Sequence, residues 1–150
     1  MCRGVSRSGA FGCDVRRRRD GERKPMRGGG GGGYLASEAA APTACSDFDA
    51  LRAATAACPR ACVAFTAAWC APCVRFHPTF CHLSASFADV AFVTVDVDAM
   101  DDASLDRLGV ETVPTFLLVR RGVEVARLTG VAHKRPARPL AAAIRKHLLG

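Results

Sequence analysis

Two cysteines in the stretch "FTAAWCAPCVRF", Cys70 and Cys73, are the residues whose type and spacing best fit a chemical role. A thiolate is both a nucleophile and a metal ligand, so such a pair can bind a metal, form a structural disulfide or cycle between dithiol and disulfide. A short apolar run typical of a buried strand precedes the pair, and a helical pattern follows it. We therefore expect Cys70 near the N-terminus of a helix, where unpaired backbone N–H groups and the helix dipole favour a thiolate.

Cys73 lies three positions further along the same predicted helix, so the two side chains share one helix face. We expect Cys73 to be more buried than Cys70, which lies at the exposed start of the helix. These positions predict Cys70 as the attacking thiol. They predict Cys73 as the resolving thiol, which attacks a mixed disulfide formed at Cys70.

The elements that must position this pair alternate between helices and strands from Thr43 onward. Ser46 is the predicted cap of the first helix, and Pro78 is expected to kink the second. The order predicts an α/β fold with a mixed sheet and helices on both faces. The pattern predicts helices over residues 46–57, 73–87, 101–109 and 136–149. It predicts strands over residues 62–66, 90–98, 115–119 and 123–128, the last two joined by a tight hairpin turn.

Residues 1–42 are basic and glycine-rich, and we predict a disordered tail that precedes a single domain over residues 43–150. The tail includes four arginines at 16–19 and six glycines at 28–33. It holds nine Lys or Arg against four acids, and so accounts for most of the chain's net charge of +7. The charge therefore says little about the domain, and we expect neither a nucleic-acid partner nor a membrane partner.

The chain resembles the thioredoxin family from about residue 45 to the C-terminus. The motif "WCAPC" is similar to the family's W-C-G-P-C active site, and "TVPTF" at residues 112–116 is similar to its cis-proline segment. Other positions fall in the family's order, namely Pro78, the "VDVD" of residues 95–98, Gly109, Gly122 and Gly130. The resemblance implies a thioredoxin fold, an α/β structure whose central mixed sheet has four to five strands and helices on both faces.

The resemblance also implies a function and a binding surface. It implies a thiol–disulfide oxidoreductase that reduces protein disulfides through Cys70 and Cys73, without a cofactor or a metal. Its partners would be disulfide-containing proteins and a thioredoxin reductase or another dithiol donor. We expect a cytoplasmic monomer, or a mitochondrial or plastid protein if the Arg-rich N-terminus is a transit segment. A cis Val113–Pro114 bond should face the cysteines, and substrate binding is expected at Trp69, Ala71, Pro72, Val113, Pro114 and Gly130.

Three positions depart from the family's pattern. Ala64 stands where thioredoxins have a buried aspartate, Thr94 where they often have a lysine, and Ala71 where they have a glycine. The aspartate is thought to accept the proton of the second cysteine, so its loss leaves Cys73 to find another acceptor. A thioredoxin-fold binding module with weak turnover therefore stays open as an alternative.

The other cysteines and histidines close to the pair in the chain are expected to have no catalytic role. A zinc site formed by Cys70, Cys73, His77 and Cys81 would spread its ligands along one helix at about 1.5 Å per residue, too far for one tetrahedral ion. We expect His77 and His82 on the helix surface. Cys62 and Cys81 are predicted to be buried, unreactive thiols, with a regulatory disulfide as the lesser alternative. Asp96 and Asp98 are predicted to face solvent.

Overall fold

The computed structural model describes residues 41–129 and 137–150, and these residues form five strands and four helices. The predicted tail therefore lies almost wholly outside the described residues. The last helix continues as a π-helical turn over Arg145–Leu149. In chain order the elements are β1 (Thr43–Cys45), α1 (Phe48–Ala56), β2 (Arg60–Thr66), α2 (Ala71–Ser86), β3 (Ala91–Asp96), α3 (Asp102–Leu108), β4 (Thr115–Arg120), β5 (Val123–Thr129) and α4 (Ala137–Ile144).

The five strands form one mixed sheet in the order β1-β3-β2-β4-β5. Strands β1 and β2 run parallel to β3, whereas β4 runs antiparallel to both β2 and β5. This confirms the predicted α/β fold with a mixed sheet. Strand β1 was not predicted, because a three-residue strand is too short to show alternation. Its register, Thr43 to Cys45 opposite Val93 to Val95, depends on pairing with β3.

The helix ends follow from local hydrogen bonds. Asp47 caps α1 by accepting a 2.7 Å hydrogen bond from the Ala50 N–H, so the prediction of Ser46 as the cap was wrong by one residue. A carboxylate satisfies the free N–H groups of a first turn and also interacts favourably with the helix dipole. Helix α3 ends at the predicted Gly109, whose φ of +62° lies in the left-handed region that glycine adopts without strain.

The sheet separates two apolar clusters because successive side chains of a strand point to opposite faces. On one face Cys62 and Ala64 of β2 pack with the phenylalanines of α2 and with Leu140 and Ile144 of α4. On the other face Val63 and Phe65 pack with residues of α1 and β3 and with Leu105 and Leu108 of α3. Among the described residues, no helix has the length and apolar character needed to cross a membrane.

Helix α2 carries the cysteine pair at its start and packs in the cluster that contains Cys62 and Ala64. It continues through Pro78 as one helix. Phe80 makes edge-to-face ring contact with Phe92 of β3 at a centroid distance of 5.0 Å, which anchors the helix to the sheet. Val74, in the first turn of the helix beside the cysteine pair, is 42% exposed.

Candidate active site

The start of α2 positions the two cysteines. Cys70 is the N-cap residue, in extended backbone conformation, and its Sγ accepts a hydrogen bond of 3.3 Å from the Cys73 N–H. Cys70 and Cys73 are joined by a disulfide, with their Cα atoms 5.3 Å apart. A sulfur at an N-cap faces the free N–H groups and the positive end of the helix dipole, so its thiolate is stabilised. The two sulfurs are therefore in the geometry that a dithiol–disulfide pair requires.

The burial of the pair differs from the sequence prediction. Cys70 is 5% exposed and Cys73 is 4% exposed, so in the disulfide state neither residue is the more accessible one. The expected difference in burial is absent because the disulfide draws Cys70 against Ala67 and Cys73 into one small cluster. The roles of the two thiols must therefore be argued from their positions in the helix rather than from their exposure.

The loop that precedes β4 packs against the cysteines, as predicted. The Val113–Pro114 peptide bond is cis. Val113 packs against the cluster that contains Cys70 and Cys73, and Pro114 lines a cavity together with Cys73. Cys73 and Pro114, which are 41 positions apart in the chain, are thus brought together at the end of the sheet where β4 begins.

Trp69 forms the exposed rim of the site, with 69% of its surface accessible. Its indole N–H donates to the carboxylate of Asp98, with distances of 3.0 and 3.2 Å to the two oxygens. Asp98 was predicted only to face solvent, so its contact with Trp69 was missed. The two residues are 29 positions apart, and no local pattern could have paired them. The hydrogen bond holds a large apolar ring beside the disulfide.

The other predicted binding residues differ in what the structure shows of them. Ala71 is exposed and Pro72 is half-buried in the first turn of α2, next to Cys70. Gly130 lies outside the described residues, so its predicted role stays a prediction. The exposed part of the site is consequently an apolar rim made by Trp69, Ala71 and Val74 around buried sulfurs.

Two of the three positions that depart from the thioredoxin pattern are neighbours in the sheet. Ala64 of β2 is the direct cross-strand partner of Thr94 on β3. Both residues line a small cavity behind Cys73. The Oγ1 of Thr94 is buried and makes no hydrogen bond within the described part of the chain. The region that a carboxylate and an ammonium group would fill in the family pattern is here a small, mostly apolar space.

Two predictions about other residues of α2 were wrong. His77 is half-buried rather than on the surface, because it lines the same cavity as Cys73. Cys81 is half-buried and disulfide-bonded rather than a buried thiol, and its Sγ lies 3.6 Å from the Nε2 of His77. His82 is exposed and Cys62 is fully buried, as predicted. Within residues 41–129 and 137–150, no group of three or more His, Cys, Asp or Glu is arranged to hold a metal ion.

Comparison with curated proteins finds plant thioredoxins of the h type. The chain is 44% identical over 66 residues to Thioredoxin H2-1 of Oryza sativa subsp. japonica, covering 44% of this chain and 47% of that protein. It is 41% identical over 68 residues to Thioredoxin H2 of Arabidopsis thaliana, covering 45% of this chain and 50% of that protein. The chain thus spans about half the length of the curated relatives it matches.

Comparison with solved structures extends the similarity over most of the domain. A thioredoxin from Nicotiana alata superposes with a TM-score of 0.61 at 31% identity, covering 72% of this chain and 96% of the other. A thioredoxin from Trypanosoma brucei brucei superposes with a TM-score of 0.67 at 21% identity, covering 77% and 98%, which shows a shared fold. The family model described as Thioredoxin matches residues 44–146. Together with the paired cysteines at the start of α2 and the cis Val113–Pro114 bond, this match shows that the chain belongs to the thioredoxin family.

Proposed function

We propose that this chain is a thiol–disulfide oxidoreductase that reduces protein disulfides through Cys70 and Cys73. The observation that carries the proposal is the disulfide between these residues at the N-terminus of α2, because it is the product that such a reaction leaves on the enzyme. Membership of the thioredoxin family supports the same reaction. The reaction needs two thiols and no bound cofactor.

In the first step, the thiolate of Cys70 attacks one sulfur of the substrate disulfide. The substrate S–S bond breaks, a mixed disulfide forms between Cys70 and the substrate, and the other substrate sulfur leaves as a thiolate. The N-cap position stabilises the Cys70 thiolate, because helix N–H groups and the helix dipole interact favourably with the anion. A larger thiolate fraction near neutral pH makes this attack faster.

In the second step, Cys73 loses its proton and its thiolate attacks the Sγ of Cys70. The bond between Cys70 and the substrate breaks, and the second substrate sulfur leaves with the electron pair. The substrate has then gained two electrons, and the enzyme has the disulfide seen in the structure. A thioredoxin reductase or another dithiol donor would restore the dithiol.

The surface around the disulfide suits an extended segment of a protein substrate. Trp69 supplies an exposed ring held by Asp98, and Val113 packs beside the two cysteines. We propose that substrate backbone pairs with the segment before Pro114, as an added strand does at a sheet edge. One structural neighbour, at 25% identity and a TM-score of 0.62, comes from work on the thiol resolving mechanism of a yeast mitochondrial peroxiredoxin. Oxidised peroxiredoxins are accordingly a reasonable substrate class to test.

The compartment proposed for this reaction is the cytoplasm. A protein that donates electrons to disulfides needs reducing surroundings, in which glutathione and reductases keep thiols reduced. Relatives named as h-type thioredoxins support a similar role for this chain.

Trapping of mixed disulfides tests the proposed roles. The Cys73→Ser variant should retain substrate proteins covalently on Cys70, because the second step cannot occur. The Cys70→Ser variant, the matched control, should trap few proteins. A coupled assay with a reductase should show turnover of insulin by the unaltered chain. Trapping by Cys70→Ser instead of Cys73→Ser would reverse the assignment, and trapping without insulin turnover would favour the alternative of a binding module.

A further inference from the structure

A small cavity behind Cys73 is the feature that the proposed reaction does not yet use. It lies between α2 and the sheet, and its volume is about 10 Å³. That is close to the space that one buried water molecule needs. Its lining includes Cys73 and His77 of α2 together with Ala64 and Thr94 of the sheet. The cavity therefore connects the resolving cysteine with a titratable side chain.

The hydroxyl of Thr94 indicates that the cavity holds a polar molecule. Its Oγ1 is buried without a hydrogen-bond partner in the described part of the chain. A buried hydroxyl is destabilising unless it is paired, so nearly all such groups bind protein or water. The methyl group of the facing Ala64 cannot accept a hydrogen bond. A water molecule in the cavity would pair with Thr94 and lie next to Cys73.

His77 is the group in this cavity that can accept a proton at physiological pH. It lies four residues after Cys73, and residues at this spacing are neighbours on one helix face. Burial lowers the pKa of His77 below its ordinary value, so the imidazole is neutral near pH 7. Its Nε2 is in contact with Cys81 Sγ at 3.6 Å, which leaves Nδ1 as the nitrogen without that contact.

The groups facing His77 from neighbouring elements leave it without a competing charge. The cavity lining from β2, β3 and β4 contains threonine, alanine, proline and phenylalanine, with no charged side chain. On β3 the acid nearest to Thr94 is Asp96, whose carboxylate accepts a 3.0 Å hydrogen bond from the Asp98 N–H. On α4, Leu140 and Ile144 face the cluster of α2, and Arg145 beyond them lies over the ring of Phe87.

We propose that His77 accepts the proton of Cys73 in the second step, through a water molecule held by Thr94, in place of the missing carboxylate. This inference rests on the proposed function. The Cys73 S–H gives its proton to the water, and the water gives one to the imidazole. The Cys73 thiolate then attacks Cys70, breaks its bond to the substrate and forms the Cys70–Cys73 disulfide. The departing substrate thiolate takes a proton from solvent, and the imidazolium returns its proton to solvent.

The test measures the two steps separately. The reduced chain is mixed in a stopped-flow instrument with an aromatic disulfide that releases a coloured thiolate at each step. The first phase reports the attack by Cys70, and the second reports the attack by Cys73. We compare His77→Gln with His82→Gln, which changes an exposed histidine of the same helix. Thermal unfolding confirms that both variants are folded.

The second phase of His77→Gln should be slower by about 10²-fold near neutral pH, the low end of the range for loss of a general base. Its first phase should be unchanged, and His82→Gln should match the unaltered chain in both phases. The deficit should shrink as the pH rises toward about 8.5, where an unperturbed thiol ionises by itself. Only the chains that retain His77 should show an inflection in the second phase below pH ~6.5. Thr94→Val should slow the second phase less and keep the inflection.

Three results would overturn the proposal. Equal second phases in His77→Gln and His82→Gln would mean that His77 does not accept the proton. A similar decrease of both phases in His77→Gln would assign the residue a structural role. A deficit in the second phase that does not change with pH would exclude a role in proton transfer. By contrast, absence of the first phase in the unaltered chain would reject the proposed function itself.

Discussion

The start of α2 and the middle of β2 place the same kind of side chain in two different environments. Cys70 caps a helix, where its sulfur accepts a hydrogen bond from the Cys73 N–H. Cys62 lies inside β2, between Phe92 and Leu118 of the flanking strands, and is fully buried. Burial raises the pKa of the Cys62 thiol far above its ordinary value, because a thiolate there would have no water and no compensating charge.

Burial alone therefore does not decide which thiol reacts. Cys70 is also buried, at 5% exposure, so the reactivity that we propose for it must come from its position at the start of a helix. There, N–H groups that have no carbonyl partner stabilise the anion. In β2 the corresponding N–H groups are paired with the neighbouring strands. On our proposal, the backbone around each sulfur thus distinguishes the reactive cysteine from the unreactive one.

The largest expected effect comes from replacing one cysteine in each environment. Cys70→Ser should reduce insulin turnover to the level of a control without protein, because serine cannot form the mixed disulfide. Cys62→Ala should keep nearly full turnover and lower the free energy of unfolding by about 1 kcal/mol, the scale of one buried methylene-sized group. Coupled turnover and chemical unfolding measure the two quantities. Substantial turnover by Cys70→Ser would remove the contrast between the two sites.

A second effect concerns access to the buried thiol. Phe80→Ala should destabilise the fold by about 3–5 kcal/mol, because Phe80 packs with Phe92 and Phe116 at the centre of the cluster. Alkylation of Cys62 requires unfolding, so it should become at least about a hundredfold faster in this variant. Alkylation of Cys70 in the reduced chain should change little.

Peptide mapping after timed alkylation measures both rates. Val123→Ala is the matched control, because Val123 is 63% exposed and its loss should leave the alkylation of Cys62 unchanged. An equal rate for Cys62 in Phe80→Ala and in the control would show that this thiol reacts without unfolding.

A smaller effect is expected at the rim of the site. Asp98→Ala removes the carboxylate that holds Trp69, so we expect KM for a protein disulfide to rise about three- to tenfold, the value of one modest hydrogen bond. The value of kcat should change less, because Asp98 does not touch the sulfurs. Steady-state kinetics measure both values, with Asp89→Ala, another exposed acid, as the control. A decrease confined to kcat would contradict the proposed binding role of Trp69.

The smallest effect is a dependence of stability on pH that passes through His77. Burial lowers the pKa of His77 in the folded state, so the unfolded chain binds the proton more readily. The free energy of unfolding should therefore fall as the pH drops below about 6.5, and this fall should be smaller in His77→Gln. Urea unfolding at several pH values measures the slope. Identical slopes in the two proteins would show that His77 is not desolvated in the folded state.

Much of the architecture around the cysteines could be predicted from the chain, because local signals mark it. Gly109 ends α3, the turn at Arg121 and Gly122 joins β4 to β5, and the helical pattern after Cys70 predicts α2. Strand β1 could not be predicted in this way. It is three residues long and depends on its pairing with β3.

The contacts that complete the site could not be predicted from local patterns. The hydrogen bond between Trp69 and Asp98 joins residues from two loops that the sheet brings together. The half-buried position of His77 depends on how α2 lies over Thr94 and Ala64. A resemblance to a family locates the cysteines, but only packing shows which side chains surround the second one.

A redox titration of the native chain tests whether Cys70 and Cys73 form a redox-active pair. The protein is equilibrated in buffers of increasing potential, its free thiols are alkylated, and the peptides are quantified by mass spectrometry. We predict that Cys70 and Cys73 lose their thiols together in one reversible two-electron transition, while Cys62 keeps its thiol throughout. Loss of only one of the two thiols, or loss of the Cys62 thiol in the same transition, would contradict it.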